Sequence, residues 1–277
     1  MMIKRCKQCG QAFYAKRKAR DYCSRDCSNK DRWKRFSEGG KNYQVLSCGG
    51  GVQSTAMIVL IANGKLPMPD LVIMVDAGYE KESTIKYAND VLTPLCNKIG
   101  LEFKYLKTEP GFLFNSSGML IIPAYKRMPN GQIQKLYTMC NDKWKLNPIK
   151  REIRGRGIAQ ATCWIGISTD EAQRQRQSRY KWISNKYPLV ELGLSRYQCL
   201  FEIRKLGLPD PPRTSCIMCP LQIDEEWEKM KSESPNDYNR CIQIENDIQI
   251  RNPNIFLHKS TVRLEDIFWQ CDVTVRG

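Results

Sequence analysis

Four cysteines near the start of the sequence have the spacing of ligands to one metal ion. Cys6 and Cys9 form a C-x2-C pair, a 13-residue gap follows, and Cys23 and Cys27 form a C-x3-C pair. Four thiolates suit tetrahedral zinc, and a module of roughly 40 residues needs a metal to fold by itself. Gly10 follows the second cysteine, where a tight turn would present backbone N–H groups to sulfur. We therefore predict a zinc site, because two disulfides would need an oxidising compartment that the other cysteines do not indicate.

Residues 47–55 read SCGGGVQST and place three consecutive glycines between an apolar run and a helix-like stretch. A glycine loop between a strand and a helix lets backbone N–H groups surround a phosphate. Ser54 and Thr55 add hydroxyl donors at the predicted helix start. The loop contains no lysine, which argues against the Walker type and against γ-phosphoryl transfer. We predict that it binds the pyrophosphate of a nucleotide.

A third pattern is Cys216-x-x-Cys219 in the proline-rich stretch PDPPRTSCIMCP. The prolines favour a rigid loop that presents both sulfurs. Two cysteines do not complete a metal site, so further ligands must come from elsewhere in the chain. A site with four ligands needs two more cysteines. Cys199, at the start of the helix predicted before this loop, is a candidate for the fourth ligand. Both zinc and an iron–sulfur cluster take cysteine thiolates, and these alternatives stay open.

The elements that position these residues alternate between strands and helices. Residues 43–47, 71–78 and 101–107 are β-rich runs, and residues 52–64 read as a helix ended by Asn-Gly. A second predicted helix runs to Ile99. This rhythm predicts an α/β fold with a doubly wound, mostly parallel sheet. Ligands of such sheets bind at the carboxyl ends of strands, where the glycine loop and Asp76 both fall.

The net charge of +15 is concentrated near the N-terminus: residues 1–41 hold 13 Lys and Arg against 4 Asp and Glu, or +9, which leaves +6 for the other 236 residues. A short basic segment points to a polyanionic partner. Basic residues interleaved with an aromatic ring suit nucleic-acid phosphates and bases. The predicted nucleic-acid-binding residues are Lys16, Arg17, Lys18, Arg20, Arg32, Trp33, Lys34 and Arg35. The alternative to nucleic-acid binding is that the zinc module has a purely structural role and that its basic face contacts only solvent.

The bulk properties also exclude some classes of protein. The sequence contains no apolar run near 18 residues and no signal-peptide pattern, so we expect a cytoplasmic protein without a membrane segment. Thirteen cysteines in 277 residues do not resemble a secreted disulfide scaffold. Those outside the paired motifs are mostly expected to be small buried apolar residues.

The glycine loop resembles the PP-loop of the adenine-nucleotide α-hydrolase superfamily, which usually reads S-G-G-x-D-S. Gly50, Gly51 and Ser54 match that pattern, whereas Gly49 and Gln53 replace its first serine and its aspartate. Further motifs follow in order over about residues 44–222. They resemble the phosphoadenosine-phosphosulfate-reductase-like branch: Asp76-Ala-Gly78, Cys140 with KLNP (145–148), Gly166 with Glu171 and Arg174, the run from Tyr187 to Pro209, and Cys216-x-x-Cys219.

The resemblance implies cleavage of ATP between its α- and β-phosphates, with Mg²⁺, to give an adenylylated substrate and pyrophosphate. It implies catalytic roles for Ser54, Asp76 and Arg174. Arg176 and Arg179 would either help to neutralise the leaving phosphates or belong to a solvated helix face. The implied nucleotide-binding residues are Ser47, Gly49, Gly50, Gly51, Gln53, Ser54, Thr55, Asp76, Gly78 and Gly166.

The same resemblance bears on the second metal site and on the domains. Cys140 falls on the second cysteine of the reductases' adjacent pair, while the first is Met139 here. A [4Fe–4S] cluster would then have three cysteine ligands and an open iron, or Cys199 as the fourth. The expected domains are a zinc-finger module (1–40), a PP-loop phosphoadenosine phosphosulfate reductase-like domain (41–230) and a helical C-terminal extension (231–277).

Three functions are compatible with these features. The favoured one is ATP-dependent modification of nucleic acid, either DNA or tRNA, by transfer of sulfur or a related group, with a sulfur-donor protein as a further partner. A sulfonucleotide reductase is the alternative, but its tail motif E-C-G-x-H is not matched, since Cys271 lacks the following Gly-x-His. The third is a catalytically degenerate nucleotide- or nucleic-acid-binding protein.

Overall fold

A computed structural model describes residues 2–15, 21–28, 42–108, 113–137 and 139–269. The eight predicted nucleic-acid-binding residues, the predicted module boundary near residue 40 and Cys271 lie outside these ranges. Strands among the described residues are β1 (Met2–Arg5), β2 (Ala12–Ala15), β3 (Tyr43–Cys48), β4 (Leu71–Asp76), β5 (Phe103–Lys107), β6 (Tyr125–Arg127), β7 (Ile133–Lys135), β8 (Ala161–Ile165), β9 (Ile183–Lys186) and β10 (Ile255–Phe256).

The helices used below are α1 (Val52–Ala62), α2 (Glu82–Tyr87), α3 (Thr93–Lys98), α4 (Asn147–Gly155), α5 (Pro188–Glu191), α6 (Arg196–Lys205), α7 (Asp224–Glu233) and α8 (Pro235–Arg251). π-Helical turns at Ala88–Leu92 and Asn141–Leu146 adjoin α3 and α4. A 3₁₀ segment spans Thr169–Arg174. Among the described residues, no helix has the length and apolar character needed to cross a lipid bilayer.

Five parallel strands form the central sheet in the order β5-β4-β3-β8-β9. β4 reads LVIMVD and is buried at every position, as a central parallel strand covered on both faces must be. On β3 and β4, Leu46 and Met74 face a core shared with α1 and α6, while Val45 and Ile73 face a second core shared with α4. Helices therefore cover both faces, which confirms the predicted doubly wound α/β fold.

A third core lies beyond the carboxyl edge of this sheet. The short antiparallel sheet β10-β6-β7 contributes to it together with α7 and α8. Trp227 of α7 and Ile248 of α8 pack there with Tyr79, which follows β4, and with Ile217 of the cysteine loop. The described part of the C-terminal extension thus shares its core with the segments that carry the site.

Candidate functional site

The glycine loop joins the carboxyl end of β3 to α1, as predicted. Gly50 has φ +76°, and a Cβ there would lie 3.2 Å from Thr84 Cγ2 and 3.3 Å from Met74 Cε. Gly51 is the N-cap of α1, and no side chain caps that helix end. The loop is therefore shaped so that backbone N–H groups at the start of α1 are left for an anionic ligand.

The two predicted hydroxyl donors differ in their surroundings. Ser54 Oγ donates to the Gly51 carbonyl at 3.1 Å, so this side chain braces the glycine loop. Thr55 is fully buried beside the Tyr87 hydroxyl, which itself donates to the Pro209 carbonyl at 3.0 Å. The single Ser54 hydroxyl proton is therefore used within the loop, and Ser54 would have to turn from the Gly51 carbonyl to donate to a phosphate. The phosphate-binding roles of Ser54 and Thr55 stay predictions.

Gln53, the residue at the family's aspartate position, ties the loop to two other elements. Its Nε2 donates to Glu171 Oε2 at 3.2 Å, and its Oε1 accepts from Arg196 Nη1 at 2.9 Å. Arg174 Nη1 in turn donates to Glu171 Oε1 at 2.5 Å. The structure thus joins the predicted Arg174 to the loop through Glu171. Arg196 was missed by the sequence prediction, because its position opening α6 is set only by tertiary packing.

Gly166 follows β8 and lies against the start of α1. A Cβ at Gly166 would lie 3.1 Å from the Ser54 backbone nitrogen and 3.2 Å from Gln53 Cβ. Backbone atoms in a packed helix start can shift only slightly to relieve such a contact. We expect Gly166→Ala to lower the free energy of unfolding by about 1–3 kcal/mol through overpacking, measured by urea denaturation. Gly155→Ala is the matched control, because nothing lies within 4 Å of a Cβ there. Equal stability of the two variants would contradict this contact.

Asp76 ends β4 at the same edge of the sheet as the glycine loop. Its Oδ1 accepts from the Gly78 backbone N–H at 2.7 Å, and its Oδ2 accepts from the Tyr105 hydroxyl at 3.0 Å. Burial raises the pKa of Tyr105, and the neighbouring Asp76 carboxylate raises it further. The carboxylate is held in one orientation by these donors, and each oxygen keeps a further lone pair for a ligand.

The predicted zinc ligands Cys6, Cys9, Cys23 and Cys27 form a compact group, with their sulfurs all within 4.8 Å of one another. The Cys9–Cys23 and Cys23–Cys27 sulfur distances are 3.6 and 3.5 Å. A tetrahedral Zn²⁺ with Zn–S bonds of about 2.3 Å places its sulfurs about 3.8 Å apart, so the residues fit the ion. Gly10 has φ +73°, as expected for the tight turn after Cys9.

Three other cysteines meet beyond the ends of β3 and β4. The loop of Cys216 and Cys219 bonds to the chain after β4, where Ile217 N–H donates to the Tyr79 carbonyl at 2.7 Å. Burial raises the pKa of the Cys216 thiol to about 12, and the charges of Cys140 and Cys219 add to this while Lys145 opposes it. Such thiols become stable as thiolates when a metal replaces their protons.

Cys140 and Lys145 reach this group together because the chain forms a π-helical turn. Cys140 caps the turn at Asn141–Leu146. Side chains five positions apart fall on nearly the same face of a π-helix, whereas an α-helix would separate them widely. Lys145 Nζ pairs with Glu80 Oε1 at 2.7 Å, and Glu80 is only 3% exposed. An ion pair with a buried carboxylate and a half-buried lysine therefore lies beside the cysteines.

Cys199 does not join this group, which corrects the prediction that it is the fourth ligand. It lies on α6 in the core shared with α1, fully buried, and its charged neighbours are Asp170, Arg196 and Glu202. Cys140 and Cys216 instead pack against the separate core of α7 and α8. Cys199 packs into the core shared with α1, so its proximity in sequence to the proline-rich loop is not matched by proximity in space.

Fold and site together define an α/β protein with a glycine loop at the carboxyl edge of a parallel sheet. Residues 43–193 match the model of the phosphoadenosine phosphosulfate reductase domain. This match spans more than half of the chain, and the chain belongs to that family, as the sequence motifs predicted.

Two solved structures are also similar. One is the U34-tRNA thiolase NcsA from Methanococcus maripaludis with its [4Fe–4S] cluster, at 16% identity, 90% coverage of this chain, 88% of that chain and a TM-score of 0.39. The other is phosphoadenylyl-sulfate reductase from Candida auris in a phosphate complex, at 12% identity, 68% and 89% coverage and a TM-score of 0.38. Comparison with curated protein sequences gives no match.

Proposed function

We propose that this protein is an enzyme that uses ATP to adenylylate a nucleic acid and then replaces the activated oxygen with sulfur or a related atom. A substrate oxygen attacks the α-phosphorus of ATP, and pyrophosphate leaves with the electron pair of the broken bond. A sulfur nucleophile then attacks the atom that bears the activated oxygen, and AMP departs with that oxygen.

One contact carries this proposal. A Cβ at Gly51 would lie 2.9 Å from Thr214 Oγ1, so the glycine loop packs directly on the segment that leads into Cys216. The loop suited to pyrophosphate and the cysteines suited to a metal are therefore neighbours. This arrangement supports an enzyme in which activation by ATP and delivery of sulfur act on one substrate.

The residues fall into roles that this chemistry needs. The N–H groups of the glycine loop and Ser54 hold the pyrophosphate, Asp76 receives Mg²⁺, and Arg174 balances charge on the leaving phosphates. Cys140, Cys216 and Cys219 fit a [4Fe–4S] cluster, whose thiolates sit on separate irons and so lie farther apart than the ligands of one ion. Cys140 and Cys219 are both charged neighbours of Cys216, which supports a single site for the three thiols. When bound, the cluster supplies an iron that can carry sulfur.

The nucleic-acid partner is supported by the basic N-terminal module, whose excess positive charge suits phosphates, with DNA or tRNA as the substrate. A sulfur-donor protein is a further partner. None of the twelve described cysteines forms a disulfide, which fits metal binding in the reducing cytoplasm.

Pyrophosphate release tests the adenylylation step. Wild-type protein is expected to release pyrophosphate from ATP in the presence of its nucleic acid. Ser54→Ala is expected to lower the rate roughly 100-fold, since it removes the hydroxyl that would turn from the Gly51 carbonyl to the leaving phosphate. Ser232→Ala, on the exposed face of α7, is the matched control and should keep the wild-type rate. Absence of release with total DNA and total tRNA would contradict the proposal.

A further inference from the structure

A cleft of about 530 Å³ opens beside the edge strand β9, next to the proposed active site. Its ten lining residues include Arg176 and Lys181, several amides and hydroxyls, and two tyrosines, but no carboxylate. Guanidinium and ammonium groups contact phosphates, while amides, hydroxyls and aromatic rings contact sugars and bases. The lining therefore has the chemistry of a nucleic-acid surface.

The charges of Arg176 and Lys181 are open to a ligand, although Arg176 Nη1 already donates to the Gln173 and Gln175 carbonyls at 2.6 and 2.7 Å. Arg176 and Lys181 are exposed, and among the described residues no carboxylate oxygen lies within 4.0 Å of either charged group. Residues 173–187 carry five Lys and Arg and no Asp or Glu. Three of these cations do have acidic partners, since Arg174 pairs with Glu171, Arg179 with Asp142 and Lys186 with Glu191. The unneutralised charge is thus centred on the cleft itself.

Hydrogen bonds hold the wall of the cleft in a defined conformation. Tyr187 Oη accepts from the Arg176 backbone N–H at 2.8 Å and donates to the Arg176 carbonyl at 2.6 Å. Asn185 Nδ2 donates to the same carbonyl at 2.8 Å, which anchors this turn to β9. On the other wall, Lys150 Nζ donates to the Tyr180 hydroxyl at 2.6 Å. A preformed wall lowers the ordering cost of binding.

The cleft also continues into the catalytic network. Arg176 follows Arg174 by two positions, Arg174 is bonded to Glu171, and Glu171 accepts from Gln53 of the glycine loop. A nucleic-acid strand bound across the cleft would therefore extend toward the α-phosphate of ATP expected at the glycine loop. This continuity favours a polynucleotide over a small anion.

We infer that the cleft beside β9 binds the phosphate backbone of the nucleic-acid substrate and guides the reacting nucleotide toward the glycine loop. This inference rests on the proposed function. It assigns substrate positioning to Arg176 and Lys181, on the α/β domain, in addition to the basic N-terminal module.

The test is binding of a fluorescent single-stranded oligonucleotide of about 20 nucleotides, as DNA and as RNA, to the full chain without ATP. The variant Arg176→Ala/Lys181→Ala is expected to bind about 10-fold more weakly at 0.1 M salt and to flatten the slope of log K against log salt by about 1.4. The control Lys86→Ala/Lys98→Ala removes the same charge from helices that precede β5, at the opposite edge of the sheet. It should match wild type, and thermal unfolding verifies that both variants fold.

Each other outcome overturns the inference. Equal weakening of both double variants would indicate only a general charge effect, and no weakening of the cleft variant would show that the cleft is not used. Displacement of the oligonucleotide by cytidine monophosphate at equal phosphate concentration would instead identify a mononucleotide site. Because binding is measured without ATP, a failed pyrophosphate assay leaves this result interpretable, and the reverse also holds.

Discussion

Replacing Cys23 with serine is expected to remove about one zinc ion per chain and to unfold the N-terminal module. Structural zinc contributes about 10–16 kcal/mol to small modules of this kind, more than any other single interaction that the module contains. β1 and β2 form a lone two-stranded hairpin, which is at best marginally stable without further support. The three hydrophobic cores contain no described residue from 2–15 or 21–28, so the α/β domain should stay folded.

Metal analysis and limited proteolysis measure these two effects. The variant should lose one zinc equivalent, and its N-terminal segment should be cleaved rapidly while a stable fragment beginning near residue 42 accumulates. Cys163→Ser is the matched control, because Cys163 lies on β8 away from the four-cysteine group, and it should retain the zinc. Full zinc and a resistant N-terminus in Cys23→Ser would rule out the assignment.

The second large effect concerns the cysteines beside the glycine loop. Protein purified without oxygen is expected to carry about four irons and a broad visible absorption band, and Cys216→Ala to lose nearly all of both. Removing one of three thiolates leaves two, which cannot retain a cluster at this position. Cys199→Ala should keep its iron and lose only about 1–2 kcal/mol of stability from the small cavity it leaves in the core of α1 and α6.

This pair of variants separates the possible ligand sets. Loss of iron from Cys199→Ala would restore that residue as a ligand and contradict its position in the core. Two zinc ions per chain and no iron in the wild type would favour a closed structural site over a sulfur-carrying one. The proposed adenylylation does not depend on this result, because it is measured by pyrophosphate release.

The central sheet was predictable because local pattern and tertiary environment agree there. Apolar runs in a parallel sheet covered on both faces are nearly continuous, so the predicted strand at 43–47 matches β3 and the helix at 52–64 matches α1. The Asn-Gly signal also ended α1 where predicted, with Gly64 at φ +69°. The three consecutive glycines also predicted where the site lies, because they fall between the end of β3 and the start of α1.

Features made by distant contacts were not predictable. In the β10-β6-β7 sheet, β10 pairs with β6 across more than 100 positions, and the short strands show no strong alternation. The π-helical turn that brings Cys140 and Lys145 together has no sequence signal, and neither does the hydrogen bond from Arg196 to Gln53. Cys199 shows the converse error, since a buried cysteine and a metal ligand look alike in sequence.

The contact of Thr214 with Gly51 has a thermodynamic consequence. Because the two loops share one packed boundary, neither can shift by more than a few tenths of an ångström without moving the other. The proposed occupancies by nucleotide and by metal would then be linked equilibria, and linkage is reciprocal: the factor by which the metal changes nucleotide affinity equals the factor by which the nucleotide changes metal affinity. If the metal raises nucleotide affinity, the protein holds its metal most tightly while ATP is bound; if it lowers that affinity, nucleotide binding loosens the metal.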